Sequence, residues 1–97
     1  MRMYYVMLDV VPSPDNQEED SIGAYANCFV RADSEKSAVD SASKYMQEQG
    51  WDLVSVEEVS LVTRERYIED ETSLEIFDEA CQYGISCAIY SWSDEEE

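Results

Sequence analysis

Residues 32–62 read ADSEKSAVDSASKYMQEQGWDLVSVEEVSLV, and this stretch predicts one helix followed directly by one strand. Asp33 and Ser34 are both suitable N-cap residues, since their side-chain oxygens accept hydrogen bonds from the free N–H groups of a first helical turn. Gly50 is expected to end the helix, because glycine adopts a positive φ angle without a Cβ clash. The apolar residues between these ends fall on one helical face, at Ala38, Val39, Ala42, Tyr45 and Met46.

The run Trp51–Val62 is rich in β-branched residues and predicts a strand, with Trp51 buried where the helix meets it. A helix leading directly into a strand is half of a β-α-β unit. The alternation changes phase by one residue around Glu57 and Glu58, which predicts a bulge there. Two alternatives stay open: one bulged strand that continues towards Tyr67, or two strands joined by a tight turn.

Two strands are predicted before this stretch. Met3–Val11 alternates, and Pro12 ends it because proline cannot donate to a strand ladder. A loop from Pro12 to Ser21 leads to the second strand, Ile22–Arg31. One face of that strand carries small side chains, against which a helix can pack closely, at Ala24, Ala26, Cys28 and Val30.

The last third of the chain predicts a second helix and a final strand. Thr72 and Glu75 have the spacing of a capping box, and the helix would run to about Tyr83. Its inward residues would be Leu74, Phe77, Ala80 and Cys81. Gly84 would end it, and Ile85–Trp92 would complete the sheet.

The resulting order, β-β-α-β-α-β, predicts an α+β fold. We expect a two-layer sandwich in which a mixed sheet of four to five strands carries two helices on one face, close to a ferredoxin-like variant. We also expect a single domain over residues 1–93 and an acidic tail over residues 94–97. Because such layouts host many unrelated functions, the fold by itself says little about activity.

The charge of the chain is strongly one-sided. Its 97 residues include 23 acidic and 6 basic side chains, giving a net charge of −17, and no histidine. Such a charge repels phosphate groups, so we predict binding neither to nucleic acid nor to membranes. The missing histidine excludes Ser-His-Asp and Cys-His catalysis and the usual imidazole metal sites.

The cysteines are odd in number and fall on apolar positions, at Cys28, Cys81 and Cys87. This pattern favours small buried hydrophobic residues over a disulfide scaffold, which uses an even and denser set. Met1–Val11 has no long apolar segment typical of a signal peptide, and no run approaches the ~20 apolar residues of a membrane helix. We therefore predict a cytoplasmic protein.

Two parts of the chain carry carboxylates suited to metal binding or acid–base chemistry. The loop segment Asp15–Asp20 is rich in oxygen ligands but lacks the glycine and final glutamate of an EF-hand loop, so we predict neither a metal site nor a cofactor. Asp9 lies in a strand, opposite an apolar face, and is a candidate acid–base group. A solvated position at a sheet edge explains Asp9 better.

A set of aromatic residues shares the strand phase opposite the helix-facing side chains: Tyr5, Tyr25, Phe29, Tyr90 and Trp92. An RNA-binding sheet combines such rings with basic residues, whereas only Arg31 lies among these. Two interpretations stay open. Either the chain's own loops or middle strand cover this face, or it forms an interface or a pocket. On the second interpretation we predict a homodimer.

The acidic surface leads to the functional prediction. Residues 65–97 contain eleven acidic side chains against the single base Arg66. The candidate partner-binding residues are Glu71, Glu75, Asp78 and Glu79. We predict a small non-catalytic interaction protein that binds or neutralises a basic partner, as inhibitors and immunity proteins do. The alternative is a small-molecule-binding protein or unusual enzyme with a pocket on the aromatic face; adaptation to a salt-rich environment would also explain the acidity.

Overall fold

The structure, a computed structural model, describes residues 2–14 and 21–93, with Ser21, Trp92 and Ser93 described for their backbone only. The predicted loop segment Asp15–Asp20 and the predicted tail at 94–97 lie outside the described residues. The helices and strands are β1 (Arg2–Pro12), β2 (Ser21–Ala32), α1 (Glu35–Glu48), β3 (Trp51–Val62), α2 (Glu71–Tyr83) and β4 (Ile85–Ser93). A 3₁₀ turn, Arg64–Tyr67, joins β3 to α2. The predicted α+β class is confirmed.

The described strands form one sheet in the order β3-β1-β2-β4. Every hydrogen-bonded pair in this sheet is antiparallel, so the prediction of a mixed sheet is wrong. The hairpin of β1 and β2 occupies the centre, and α1 connects β2 to β3. Because β1 lies between β2 and β3 and runs opposite to both, these three elements and α1 form a split β-α-β arrangement.

The ends of α1 lie as the sequence predicts. The Ser34 side chain accepts a hydrogen bond from the backbone N–H of Ser37. Gly50 has a φ angle of +94° and directs the chain from α1 into β3. The buried residues of the helix, one turn apart on one face, are Ala38, Ala42 and Met46.

One face of the sheet is closed by α1. Its buried side chains come from the even-numbered positions of the central hairpin: Tyr4, Val6, Leu8, Val10, Ala24, Ala26, Cys28 and Val30. Trp51 is also buried in this cluster, at the end of α1, as predicted. The small side chains of β2 let the helix lie close to the sheet. We call this side the closed face.

The second helix packs on the opposite side of the sheet, so the prediction that both helices share one face is wrong. Side chains alternate along a strand, and Phe29 therefore points away from its buried neighbour Cys28. The buried cluster under α2 consists of Met3, Phe29, Val62, Phe77 and Ala80. These residues lie at one end of the sheet, and the other end carries no described helix. We call this side the open face.

The start of α2 differs from the predicted capping box. Asp70 is the N-cap residue, and its carboxylate accepts hydrogen bonds from the Ser73 backbone N–H at 3.3 Å and the Ser73 hydroxyl at 2.9 Å. The helix therefore begins at Glu71, before the predicted cap at Thr72. Its predicted end is confirmed, since Gly84 is the left-handed C-cap residue with φ of +95°.

β3 is one bulged strand, which decides between the two alternatives. Its pairing with β1 skips Glu57, the extra residue of the predicted bulge, and skips Val54 in the same way. After the bulge, Glu58 lies opposite Met7 and so points to the open face. The strand ends at Val62, and the 3₁₀ turn replaces the continuation towards Tyr67.

The cysteines differ from their predicted role as three buried hydrophobic residues. Cys28 and Cys87 lie directly opposite each other on β2 and β4 and form a disulfide. Cys28 is buried and Cys87 half-buried, whereas Cys81 is exposed on α2. Cys81 points outward because the inward stripe of α2 passes through its neighbour Ala80. Spacing along the sequence did not reveal the pairing, which depends on the register between two strands.

Candidate binding groove

A groove of about 310 Å³ lies on the open face, next to the part of the sheet that α2 covers. Its floor consists of strand residues: Tyr5, Asn27, Phe29, Glu58, Ala88 and Tyr90. Its wall consists of residues from the 3₁₀ turn and the first half of α2: Arg66, Tyr67, Thr72, Ser73 and Ile76. The groove therefore forms only when the four strands, the 3₁₀ turn and α2 come together.

The base of the groove is a packed aromatic cluster around Phe29, which is 3% exposed. The Phe29 ring centroid lies 5.0 Å from that of Tyr67 and 5.5 Å from that of Phe77, both edge to face. It lies 5.7 Å from the ring of Tyr5 at a tilted angle. Such arrangements are favourable for aromatic rings, and they pack Tyr5 and Tyr67 against the same buried ring.

The phenols of Tyr5 and Tyr67 remain protonated near neutral pH. Burial raises the pKa of Tyr5, and the nearby carboxylate of Glu58 raises it further. Burial is also the main cause that raises the pKa of Tyr67. The Tyr5 hydroxyl donates a 3.0 Å hydrogen bond to Oδ1 of Asn27, which fixes the phenol against the sheet. The groove thus offers neutral rings and hydrogen-bonding groups.

Two opposite charges line the groove, one from β3 and one from the 3₁₀ turn. The bulge at Glu57 directs Glu58 to the open face, while Arg66 comes from the 3₁₀ turn. The guanidinium carbon of Arg66 lies 5.9 Å from the ring centroid of Tyr67, a cation–π distance. In the described part of the chain neither charge belongs to an ion pair, so both are available to a bound group.

The predicted aromatic set is divided by the structure. Tyr5, Phe29 and Tyr90 line the groove, with Tyr90 55% exposed. Tyr25 lies opposite Tyr90 in the register of β2 and β4 and is 38% exposed, beyond the groove. The side chain of Trp92 lies outside the described residues. The cover over Phe29 and Tyr5 comes from α2, which neither interpretation of this face included.

The predicted acidic residues all lie exposed on α2, but two of them make contacts within the chain. Asp78 accepts hydrogen bonds from Nε and Nη2 of Arg64 at 2.8 and 3.0 Å, and these bonds lower the pKa of Asp78. Glu79 accepts a 2.6 Å hydrogen bond from the hydroxyl of Ser86 on β4. Glu71 and Glu75, by contrast, join no ion pair among the described residues.

The wall of the groove was missed by the sequence analysis. Arg66, Tyr67 and Ile76 received no site role, because a continuation of the strand towards Tyr67 stayed open and α2 was expected on the other face. One signal was present: the sequence Arg64–Tyr67 interrupts the apolar alternation with three charged side chains. This interruption favours a turn at Tyr67 over a strand, with the Tyr67 ring packed against a helix.

The proposed acid–base candidate lies elsewhere. Asp9 is half-buried on β1, opposite Tyr25 on one side and Ser55 on the other, and does not line the groove. Within residues 2–14 and 21–93 no cluster of metal-binding side chains is present. The groove contains rings, hydroxyls, an amide and two charges, a set suited to recognising a bound group.

Neither described helix is long and apolar enough to cross a membrane. Comparison of the chain with protein-family models, with curated proteins and with solved structures gives no match in any of the three. The groove and the charge distribution are therefore the basis for a functional conclusion.

Proposed function

We propose that this chain is a non-catalytic binding protein that recognises a basic partner protein, as an inhibitor or regulator does. The observation that supports this proposal is an aromatic groove on a surface with a large excess of negative charge. The chain carries 23 acidic side chains, and the ion pairs within its described part are Lys36–Asp40 and Arg64–Asp78. Such a field accelerates the encounter with a basic surface.

The acidic side of α2 fits this role beside the groove. Glu71 and Glu75 lie on the helix that forms the groove wall, and both side chains are exposed. Asp78 and Glu79 contribute negative charge as well, although their hydrogen bonds to Arg64 and Ser86 also hold the helix in place. Changing Glu71 and Glu75 alone therefore tests the effect of negative charge without breaking these hydrogen bonds.

The experiment needs a purified basic partner, identified by affinity capture at low salt. Its association rate is then measured by stopped flow with the wild type and with a Glu71→Gln/Glu75→Gln variant, at 0.01 M and 0.15 M salt. The Debye length falls from ~30 Å to ~8 Å between these conditions. We expect a lower on-rate for the variant at low salt and a smaller difference at high salt.

A matched control removes the same charge from the other side of the molecule. Glu35→Gln/Glu48→Gln changes two exposed acids on α1, which lies on the closed face. The on-rate of this variant should fall less than that of the α2 variant. On-rates that are equal for all variants and insensitive to salt would contradict the proposal and favour adaptation to a salt-rich environment.

A second candidate function is the binding of a small dipolar molecule in the groove. It is favoured by Glu58 and Arg66, which place one negative charge in the floor and one positive charge in the wall of the groove. The groove volume is at the low end of the range for small-molecule sites, roughly 300–1,000 Å³. A dipolar ligand needs both charges, so Glu58→Gln and Arg66→Gln should each weaken its binding.

The predicted homodimer stays a prediction. It was predicted from an exposed aromatic face. α2 covers the Phe29 end of that face and leaves Tyr25 and Tyr90 exposed among the aromatic side chains that the structure describes there. Sedimentation equilibrium at micromolar concentration tests it, and a monomer would contradict it. The predicted ferredoxin-like variant is supported by the split β-α-β arrangement alone.

The cytoplasmic location also stays a prediction. The disulfide between Cys28 and Cys87 is of a type more common in oxidising compartments. Fractionation of the source cells, with the thiols alkylated before lysis, shows both the location and the oxidation state.

A further inference from the structure

We propose that the groove receives the side chain of an arginine from the basic partner. This inference rests on the proposed function and names the chemical group that the site recognises. It requires three properties of the groove: rings that can contact a cation, a carboxylate within reach, and a volume suited to one side chain. The open face provides all three.

The rings are arranged for contact with a cation. Tyr67 already has the guanidinium of Arg66 at 5.9 Å from its centroid, so the chain itself shows that this wall accommodates such a group. Tyr5 and Tyr90 line the floor on the other side, and Tyr90 is largely exposed. A cation that enters the groove therefore lies beside several rings, and contact with a ring face attracts it electrostatically.

The carboxylate is Glu58. It lines the floor beside Tyr5, whose pKa is raised mainly by burial and further by the Glu58 carboxylate. At Tyr67 burial also raises the pKa most, and the raising effect of Glu58 is smaller than the lowering effect of Arg66. A bound guanidinium would thus lie in the field of Glu58, within a chain whose net charge is −17. An anionic group would meet the same field as a repulsion.

Arginine suits this site better than lysine. Its planar guanidinium stacks on aromatic rings and forms paired hydrogen bonds to a carboxylate, whereas the lysine ammonium is compact and strongly hydrated. The volume of about 310 Å³ favours a single side chain over a folded segment. Arg66 competes for the same ring and repels a second cation, so its removal should improve binding.

The experiment uses N-acetyl-arginine amide as the probe and N-acetyl-citrulline amide as a control of the same shape without charge. Binding is followed by NMR through the backbone amides of Asn27 and Ala88 on the groove floor. The arginine probe should shift these amides in a saturable way, and the citrulline probe should not. N-acetyl-lysine amide should bind more weakly than the arginine probe.

Two variants are expected to change the affinity for the arginine probe in opposite directions. Glu58→Gln should weaken the arginine probe about threefold, and Arg66→Gln should strengthen it about threefold, as expected for exposed charges. Both side chains are exposed, so the fold is expected to persist, and the unchanged amide spectrum outside the groove confirms it. Glu35→Gln on α1 removes the same charge as Glu58→Gln from the closed face and should change affinity much less.

Several outcomes would overturn the proposal. Weaker binding of the arginine probe to Arg66→Gln would favour a dipolar or anionic ligand. Equal affinities for the arginine and citrulline probes would show that charge plays no role. Equal losses of affinity in Glu58→Gln and Glu35→Gln would indicate a non-specific effect of the net charge. A basic partner whose dissociation is unchanged by Glu58→Gln would overturn this inference but leave the proposed function intact. Binding of the arginine probe, together with association of the partner that does not depend on salt, would support an arginine site in the groove but contradict the proposed function.

Discussion

The two faces of the sheet are built from the same strands but are covered to different extents. On the closed face, α1 lies over small residues of β2, and Leu8 and Val6 beneath it have no exposed surface. On the open face, the large ring of Phe29 holds α2 over one end of the sheet. The remaining part of that face keeps Tyr25 and Tyr90 in contact with solvent.

The difference shows how residue size on one strand divides the roles of the two faces. Small side chains at Ala24 and Ala26 let a helix approach and exclude water, so the closed face holds the larger cluster of buried apolar residues. The open face leaves apolar and polar groups accessible together at its groove. We infer that the closed face contributes most to the stability of the fold, while the open face leaves side chains accessible to solvent.

The largest expected effect tests this division on adjacent residues of β1. Leu8→Ala removes a fully buried side chain on the closed face and should lower the free energy of unfolding by about 3–5 kcal/mol. Met7→Ala removes a half-buried side chain on the open face and should cost about 1 kcal/mol. Urea unfolding of both variants measures the difference, and equal costs would contradict the division.

The second prediction concerns the covalent link on the closed face. The disulfide between Cys28 and Cys87 joins residues 59 positions apart, so it restricts the unfolded chain. Its reduction should lower the free energy of unfolding by about 2–4 kcal/mol. Urea unfolding with and without a reductant measures this loss.

A matched variant isolates the bond from other effects of the reductant. Cys28→Ala/Cys87→Ala should be insensitive to reductant, whereas Cys81→Ala should keep the full response, because Cys81 is a free cysteine. Three reactive thiols in the denatured, unreduced wild type would show that the link is absent.

The closed face could be predicted from the sequence because local patterns define it. The N-cap at Ser34, the glycine at Gly50 and the helical spacing of Ala38, Ala42 and Met46 all act within a few residues. Together with the small residues of β2, they indicated which helix packs on which strand face. Burial of Trp51 followed from its position between α1 and β3.

The open face could not be predicted in the same way. Alternation showed that Tyr5 and Phe29 share a face, but it carries no information on which side α2 crosses the sheet. That choice depends on long-range packing between Phe29, Phe77 and Tyr67, rings far apart in sequence. The groove depends on this choice, which is why Arg66 and Tyr67 were not predicted beside it, whereas alternation along the strands placed Tyr5, Phe29 and Tyr90 on one face.

The third prediction sharpens the account of the open face at alkaline pH. Because burial raises the pKa of Tyr5 above its ordinary value of 10.0, the folded state favours the neutral phenol. This contribution to stability is complete below the ordinary pKa and is lost as pH rises through the raised pKa of the folded state. Comparing the 295 nm absorbance titration of the wild type with that of Tyr5→Phe isolates this phenol.

We expect the difference curve for Tyr5 to have its midpoint above pH 10.0 in the folded protein and near that value in urea. Tyr5→Phe should also make stability less dependent on pH in the alkaline range. A folded-state midpoint at or below the ordinary value would mean that solvent reaches the phenol freely, and that α2 covers less of the open face than the structure shows.

The smallest expected effect asks whether charge or packing positions α2 on the open face. Hydrogen bonds from Arg64 lower the pKa of Asp78 below its ordinary value of 3.8, so this pair stabilises the fold above that pH and loses its contribution as pH falls through the lowered pKa. Because both side chains are exposed, the pair should contribute little to the free energy of unfolding.

Arg64→Gln should therefore raise the pKa of Asp78, measured by carboxyl NMR, while the resonances of Phe29 and Phe77 stay in place. Lys36→Gln, which breaks the ion pair on α1, should leave the titration of Asp78 unchanged. Large shifts of the Phe29 and Phe77 resonances in Arg64→Gln would show that the ion pair, rather than the aromatic cluster, holds the wall of the groove.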